Sequence, residues 1–173
     1  IRSCSVFEKL GSLVDTFATV PQVETYRFHT RAPTVCPSMV TSVMRDAVSR
    51  WSRRAQCIVV LHVNVAAELG RGARRAVRAL QCCGARVFNQ AVLLRGINDT
   101  TDAQEQLCRS LQATDITPYY LHQLDRVCGA AHFEVPVARG LQIMHELRER
   151  LPGYAIPRYV KEESGKPCKT VLA

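Results

Sequence analysis

Four apolar runs in this chain end in side chains that can bind a ligand or carry a proton. They finish in His29-Thr30-Arg31, in His62 and Asn64, in Gln90 and Arg95, and in His122 and Asp125. An imidazole moves protons near neutral pH, a carboxamide orients a polar ligand, and a carboxylate pairs with a cation. The lysines are only Lys9, Lys161, Lys166 and Lys169. An unprotonated lysine amine adds to carbonyl groups, a chemistry that its surroundings must tune. Taken singly, each of these residues has an ordinary explanation. Polar residues meet water where strands become loops, and a lysine near a C-terminus is solvated. Four strand ends in succession carrying such groups point instead to a shared site.

Strands and crossover helices must position them. Hydrophobic periodicity predicts a helix over 6–17, broken at Val20-Pro21, then a strand over 23–30 and a helix over 38–53. A strand over 57–63, a helix over 66–83 and a strand over 86–94 follow. Next come a helix over 101–113 capped by Asp99, Thr100 or Thr101, a strand over 116–121, a helix over 137–150 and a short extended piece over 154–160. Strand starts near 23, 57, 86 and 116 recur about every 30 residues, the length of a strand-plus-crossover unit. The fold class is therefore α/β, with near-continuous apolar strands suited to a parallel sheet. A doubly wound sheet and a piece of a (β/α) barrel share this rhythm. Chemistry gathered at strand C-termini, with no G-x-G-x-x-G or Walker loop in the sequence, favours the barrel. About four βα units plus a C-terminal segment make a partial, truncated barrel, read as one domain over 1–173 with a tail over 161–173.

Composition narrows the class. With 173 residues, 47% apolar and 22% charged, the chain is globular and carries no run long enough to span a membrane. Its net charge of +8 is mostly arginine. The eight cysteines include no C-x-x-C pair and read as small buried hydrophobes in a reducing, cytoplasmic setting. One helix face carries Arg71, Arg74, Arg75 and Arg78, so a basic RNA- or ribosome-associated binding protein is the alternative to an enzyme. Aromatics at 6%, not interleaved with the basic residues, argue against nucleic acid.

The strings VLLRGIND (92–99), TPYYLHQLD (117–125), GAAHFEVP (129–136), LPGYAIPRYV (151–160) and CKT (168–170) resemble the lysine 2,3-aminomutase family. They are most similar to the short branch acting in β-lysylation of elongation factor P. The resemblance runs from HTRAP at 29–33 to Lys169. It implies a radical S-adenosylmethionine isomerase on a partial (β/α) barrel, using a [4Fe–4S] cluster, S-adenosylmethionine and pyridoxal phosphate (PLP) to move an amino group between adjacent carbons of lysine. Lys169 then matches the lysine that holds PLP as a Schiff base, with Lys166 its near neighbour. Asp125 and Glu162 match a pair of acids facing the far ammonium of the substrate, and His132 sits where a substrate loop is shaped. Arg31, His62, Asn64 and Gln90 fall at strand ends facing the cofactors. An oligomer is compatible with the resemblance, and no membrane is implied.

Two departures stand out. Where the family reads close to N-H-x-N-E, this chain has Asn64-Val65-Ala66-Ala67-Glu68. The family's C-x-x-x-C-x-x-C cluster motif and the G-G-D stretch after it are absent from the sequence. With Ile1 in place of Met, the expectation is the C-terminal portion of a longer enzyme, inactive alone, with the cluster ligands in an upstream segment. A decayed, non-catalytic remnant is the other expectation that these departures raise.

Overall fold

The structure, a computed structural model, describes residues 12–17 and 19–173. Five parallel strands lie side by side in chain order: β1 (Thr25–Thr30), β2 (Gln56–His62), β3 (Arg86–Val92), β4 (Thr117–His122) and β5 (Arg158–Lys161). A sixth, β6 (Thr170–Val171), runs antiparallel to β5. The longer helices are α1 (Ser42–Ser52), α2 (Arg71–Cys82), α3 (Thr101–Gln112) and α4 (Val137–Arg150). A doubly wound sheet reverses its strand order at a switch point, whereas a (β/α) barrel adds each strand on the same side. The unreversed order seen here is the barrel's. Among the described residues β1 and β6 are the free edges, so the sheet is an arc of a barrel rather than a closed ring.

Helices cover one face of this arc. In α2, Ala73, Ala76, Val77 and Leu80 are buried at the i, i+3, i+4, i+7 spacing of an amphipathic helix. Leu107, Cys108 and Leu111 of α3 and Ile143, Met144 and Leu147 of α4 join them. They belong to one core with Cys57, Val59, Leu61, Val87, Ala91, Leu121 and Tyr159 of the strands. The other face is left more open: β3 alternates buried Val87, Asn89 and Ala91 with half-buried Phe88, Gln90 and Val92. The strands therefore differ from the doubly buried runs of a complete parallel sheet. Their uncovered side carries His29, His62 and Gln90.

Element boundaries depart from the periodicity for local reasons. Residues 12–17 are helical; the start of the helix expected over 6–17 lies outside the described residues. The helix expected over 38–53 begins at Ser42, capped by the Thr41 hydroxyl, after a 3-10 turn at Pro37–Met39. The helix expected over 66–83 divides into a 3-10 turn at Ala66–Glu68 and α2. Glu68 Oε1 turns back to accept the N–H groups of Asn64 (2.8 Å) and Val65 (3.1 Å), a local bond that competes with helix, and Gly70 then caps α2 in extended conformation. The piece over 154–160 supplies β5, a further parallel strand, after a turn at Gly153–Ala155. The tail folds back as β6, and Tyr159 N donates to Ala173 O at 2.9 Å. Of the cysteines, Cys57 and Cys108 are buried, their thiols pushed up to about 11 and about 12 by desolvation, while Cys36, Cys82, Cys128 and Cys168 are exposed. Small-hydrophobe behaviour thus holds for only part of the set.

Candidate active site at the strand ends

The C-terminal ends of the strands are fastened by buried carboxamides. Asn89 Oδ1 accepts from Val63 N (2.8 Å) and its Nδ2 donates to Val63 O (3.0 Å), extending β2 beyond its last ladder bond beside a register shift in β3. Asn98 accepts from Leu94 N (2.7 Å) and donates to Val92 O (2.9 Å) and Asn64 O (3.0 Å), while its own carbonyl accepts from Gln104 Nε2 (2.8 Å). Asn64 Oδ1 accepts from Val92 N at 2.9 Å. The buried amides of Asn89 and Asn98 hold these loops rigidly, because breaking one of their bonds strands a buried polar group.

Above this frame lie three imidazoles. His29 and His62 meet edge to face with ring centroids 6.0 Å apart, and Gln90 Nε2 stands 3.2 Å from His62 Nε2. His122 packs edge-on to Tyr120, with centroids 5.6 Å apart. Its Nε2 is buried with no hydrogen-bond partner among the described residues. All three imidazoles are held below the ordinary histidine range, chiefly by desolvation. The charges of Arg27 and Lys169 add to this at His29, the His29 imidazole and Arg31 at His62, and Lys169 at His122, where Glu162 and Asp125 oppose it. At neutral pH they are uncharged. A histidine whose folded value lies below its unfolded one contributes stability above pH ~6.5, and loses it as pH falls through the lowered folded value. Thermal stability is therefore expected to fall as the pH drops below about 6.5, and His122→Gln to flatten that fall; an unchanged slope in the variant would refute the assignment to His122.

Lys169 stands in the loop between β5 and β6. Its Nζ pairs with Glu162 and lies 6.0 Å from the Tyr120 ring centroid. The Lys169 ammonium, as bond donor and as charge, holds the Glu162 carboxyl below the usual carboxylate range. Beside Lys169 is a hollow of about 330 Å³ lined by Glu162, Glu163, Lys166, Pro167 and Cys168. A larger cavity of about 650 Å³ is lined by residues including Asp125, Glu134, Lys161, Glu162 and Glu163. Asp125 and Glu162, on different loops, thus face one space, and Asp125 makes no ion pair with another described residue. Its neighbour Arg126 reaches Glu134 instead, at 3.9 Å.

Other candidates are engaged by different partners. Arg31 pairs with Glu68 at 2.9 Å, so the acid retained in the altered 64–68 loop both closes that loop and holds Arg31. His132 is exposed on a 3-10 turn and stacks on Phe133. On α2, Arg74 donates to Leu69 O (2.7 Å) and Thr114 Oγ1 (3.2 Å), which leaves Arg71, Arg75 and Arg78 as the exposed remainder of the basic face. Sequence reasoning missed Glu163, Gln123 and Tyr159. Glu163 accepts from Lys166 and Thr170, and Gln123 accepts from the Tyr159 hydroxyl and donates to Val135 O at 2.9 Å. The quoted strings hold Gln123 and Tyr159, but no periodicity distinguishes a buried polar pair from its neighbours.

An unreversed parallel sheet with polar, ionisable strand ends defines the class: a (β/α)-barrel type of site on a partial barrel. The chain is 36% identical to the L-lysine 2,3-aminomutase of Escherichia coli (strain K12) over 95% of its own length and 47% of that protein's. It is 33% identical to the L-lysine 2,3-aminomutase of Bacillus subtilis (strain 168), over 99% of its length and 38% of that protein's. By sequence the chain is similar to L-lysine 2,3-aminomutases, and it spans about half the length of the curated relatives it matches or less. Among solved structures, a radical SAM methyltransferase from Sphaerobacter thermophilus is similar over 67% of this chain and 38% of that one, at 25% identity and a TM-score of 0.43. No family model matches the chain.

The donors bear on the cofactors. PLP fits what is present: an amine beside a hollow, with the Tyr120 ring near it. A [4Fe–4S] cluster does not fit, because no group of three or more His, Cys, Asp or Glu among the described residues is arranged to hold a metal.

Proposed function

We propose that the chain is the C-terminal, substrate-binding portion of a lysine 2,3-aminomutase that converts lysine to β-lysine, for modification of elongation factor P. The supporting observation is that Asp125 and Glu162 line one cavity while Glu162 also touches Lys169. Two carboxylates facing one space suit an ammonium, which must be paired when it leaves water. Lys169 is the residue to hold PLP, and PLP when bound supplies an electron sink for the migrating nitrogen. His62 and Gln90 are the groups offered to S-adenosylmethionine, since the Asn64 carboxamide oxygen is already engaged by Val92 N. The neutral imidazoles of His29, His62 and His122 add no positive charge beside the two acids, so Lys169 is the cation that a bound ammonium must displace from Glu162. No step through an iron–sulfur cluster is derived from these residues, so radical generation is assigned to a part of the enzyme outside them.

Calorimetry on the protein with PLP bound tests the substrate assignment. L-Lysine is expected to bind, and norleucine, which lacks the side-chain ammonium, is not. Asp125→Asn and Glu162→Gln should each weaken lysine by about tenfold, the scale of a charge-assisted hydrogen bond. Equal affinity for norleucine would eliminate the ammonium site.

A further inference from the structure

Three of the four lysines in the chain, Lys161, Lys166 and Lys169, flank or lie within one hairpin loop between β5 and β6. Chemically they are equivalent amines, so something must decide which one faces the site. Glu163 sits at the centre of that loop. Its Oε2 accepts from Lys166 Nζ at 2.5 Å and from Thr170 Oγ1 at 2.5 Å, and Lys161 Nζ lies 3.7 Å from Oε1. Lys166 N donates to Glu163 O at 3.1 Å, Lys166 Nζ reaches Thr170 Oγ1 at 3.2 Å, and Gly165 takes the positive φ of 83° that closes the turn. Thr170 follows Lys169 directly and pairs with Lys161 across the β5–β6 ladder. Fixing Thr170 therefore fixes the backbone that carries Lys169. The same carboxylate draws Lys166 onto itself while Lys169 is left toward Tyr120, Glu162 and the electrostatic reach of His122 and His29.

We infer that Glu163 is a positioning residue that sorts the hairpin lysines, holding Lys161 and Lys166 on its own carboxylate and setting Lys169 at the open strand ends. The inference rests on the reading of Lys169 as the PLP-bearing amine. It adds the residue that makes this amine, rather than Lys166, the one presented.

The test is peptide mapping after PLP is added to the protein and trapped with borohydride. In the unaltered chain the label should lie on Lys169. Glu163→Gln keeps the side-chain shape and removes the charge. It should lower the share of label on Lys169 by about threefold, the scale of an exposed ion pair, with the difference appearing on Lys166. Glu163→Asp should restore part of the preference. A merely structural role would lower total labelling without moving it between lysines. If Glu163→Gln unfolds, Thr170→Val removes the second clamp bond and should give a smaller shift in the same direction. An unchanged distribution in the folded variants overturns the inference. Label absent from Lys169 in the unaltered chain overturns the cofactor reading instead, so the two failures are distinct.

Discussion

Lys169→Ala is expected to remove the visible absorbance and the borohydride-stable label that PLP gives with this protein. The other lysines compete on unequal terms. Lys161 and Lys166 are drawn to Glu163, and Lys166 shares the hollow with Lys169 but not the approach to Tyr120. The pyridine ring of PLP finds an aromatic surface at Tyr120, 6.0 Å from the Lys169 amine. Labelling in the variant should fall by about tenfold or more, the ratio that ~1.4 kcal/mol of preference for one amine produces. Glu162→Gln supplies the opposite sign. Lys169 is ion-paired with Glu162, and the ammonium in that pair does not add to an aldehyde. Removing the carboxylate's charge should speed labelling of Lys169 even as it weakens lysine binding. Label spread evenly over all four lysines in the unaltered chain would sink the assignment.

The Glu162 result also joins two roles that the family resemblance assigns separately. In the structure the acid read as a substrate partner and the amine read as a cofactor holder are in contact. Lysine's side-chain ammonium and that of Lys169 therefore compete for one carboxylate. Attaching PLP to Lys169 removes one competitor, so lysine should bind more tightly to the PLP-loaded protein than to the protein without it, and this difference should vanish in Glu162→Gln.

What the sequence disclosed followed from period and spacing. Helix α4 matches its expected span of 137–150, because its buried positions recur at a clean helical period. The strand rhythm gave the parallel order, and the structure places the polar strand ends at one end of the sheet. The losses are non-local. Glu68 breaks the helix expected over 66–83 by bonding back to Asn64 and Val65, a contact that competes with propensity and leaves no periodic trace. The pairing of β6 with β5 depends on a two-residue ladder and on Glu163, which in the sequence is one of two adjacent glutamates. Asp125 and Glu162 stand 37 positions apart in the sequence. Only the side-by-side placement of β4 and β5 puts their loops around one cavity.

Gly140→Ala is expected to destabilise the protein, against the sign that helix propensity alone gives. In the middle of a helix alanine is favoured over glycine by about 1 kcal/mol. At Gly140, however, an added Cβ would come within 2.6 Å of Tyr159 Cε1 and nearer still to Cζ and the hydroxyl. Tyr159 is fully buried, and burial pushes its phenol up to about 12, so it stays a neutral donor. That hydroxyl donates to Gln123 Oε1, and Gln123 Nε2 donates to Val135 O. The ring cannot retreat without leaving Gln123 unpaired in the core. Overpacking at about 1–3 kcal/mol, together with a buried hydrogen bond at about 1–3 kcal/mol, outweighs the propensity gain. A net loss of about 2–4 kcal/mol lowers Tm by roughly 5–15 °C for a chain of this size. Tyr159→Phe removes the oxygen nearest the new methyl group, so Gly140→Ala should cost less in that background, a coupling that a double-mutant cycle measures. Gln123 also anchors the start of the loop that carries Asp125, so the same substitution should loosen lysine binding before it unfolds the chain. A Gly140→Ala variant with a raised Tm would show that Tyr159 has room to move and that the close fit of α4 on β5 is not what holds this loop.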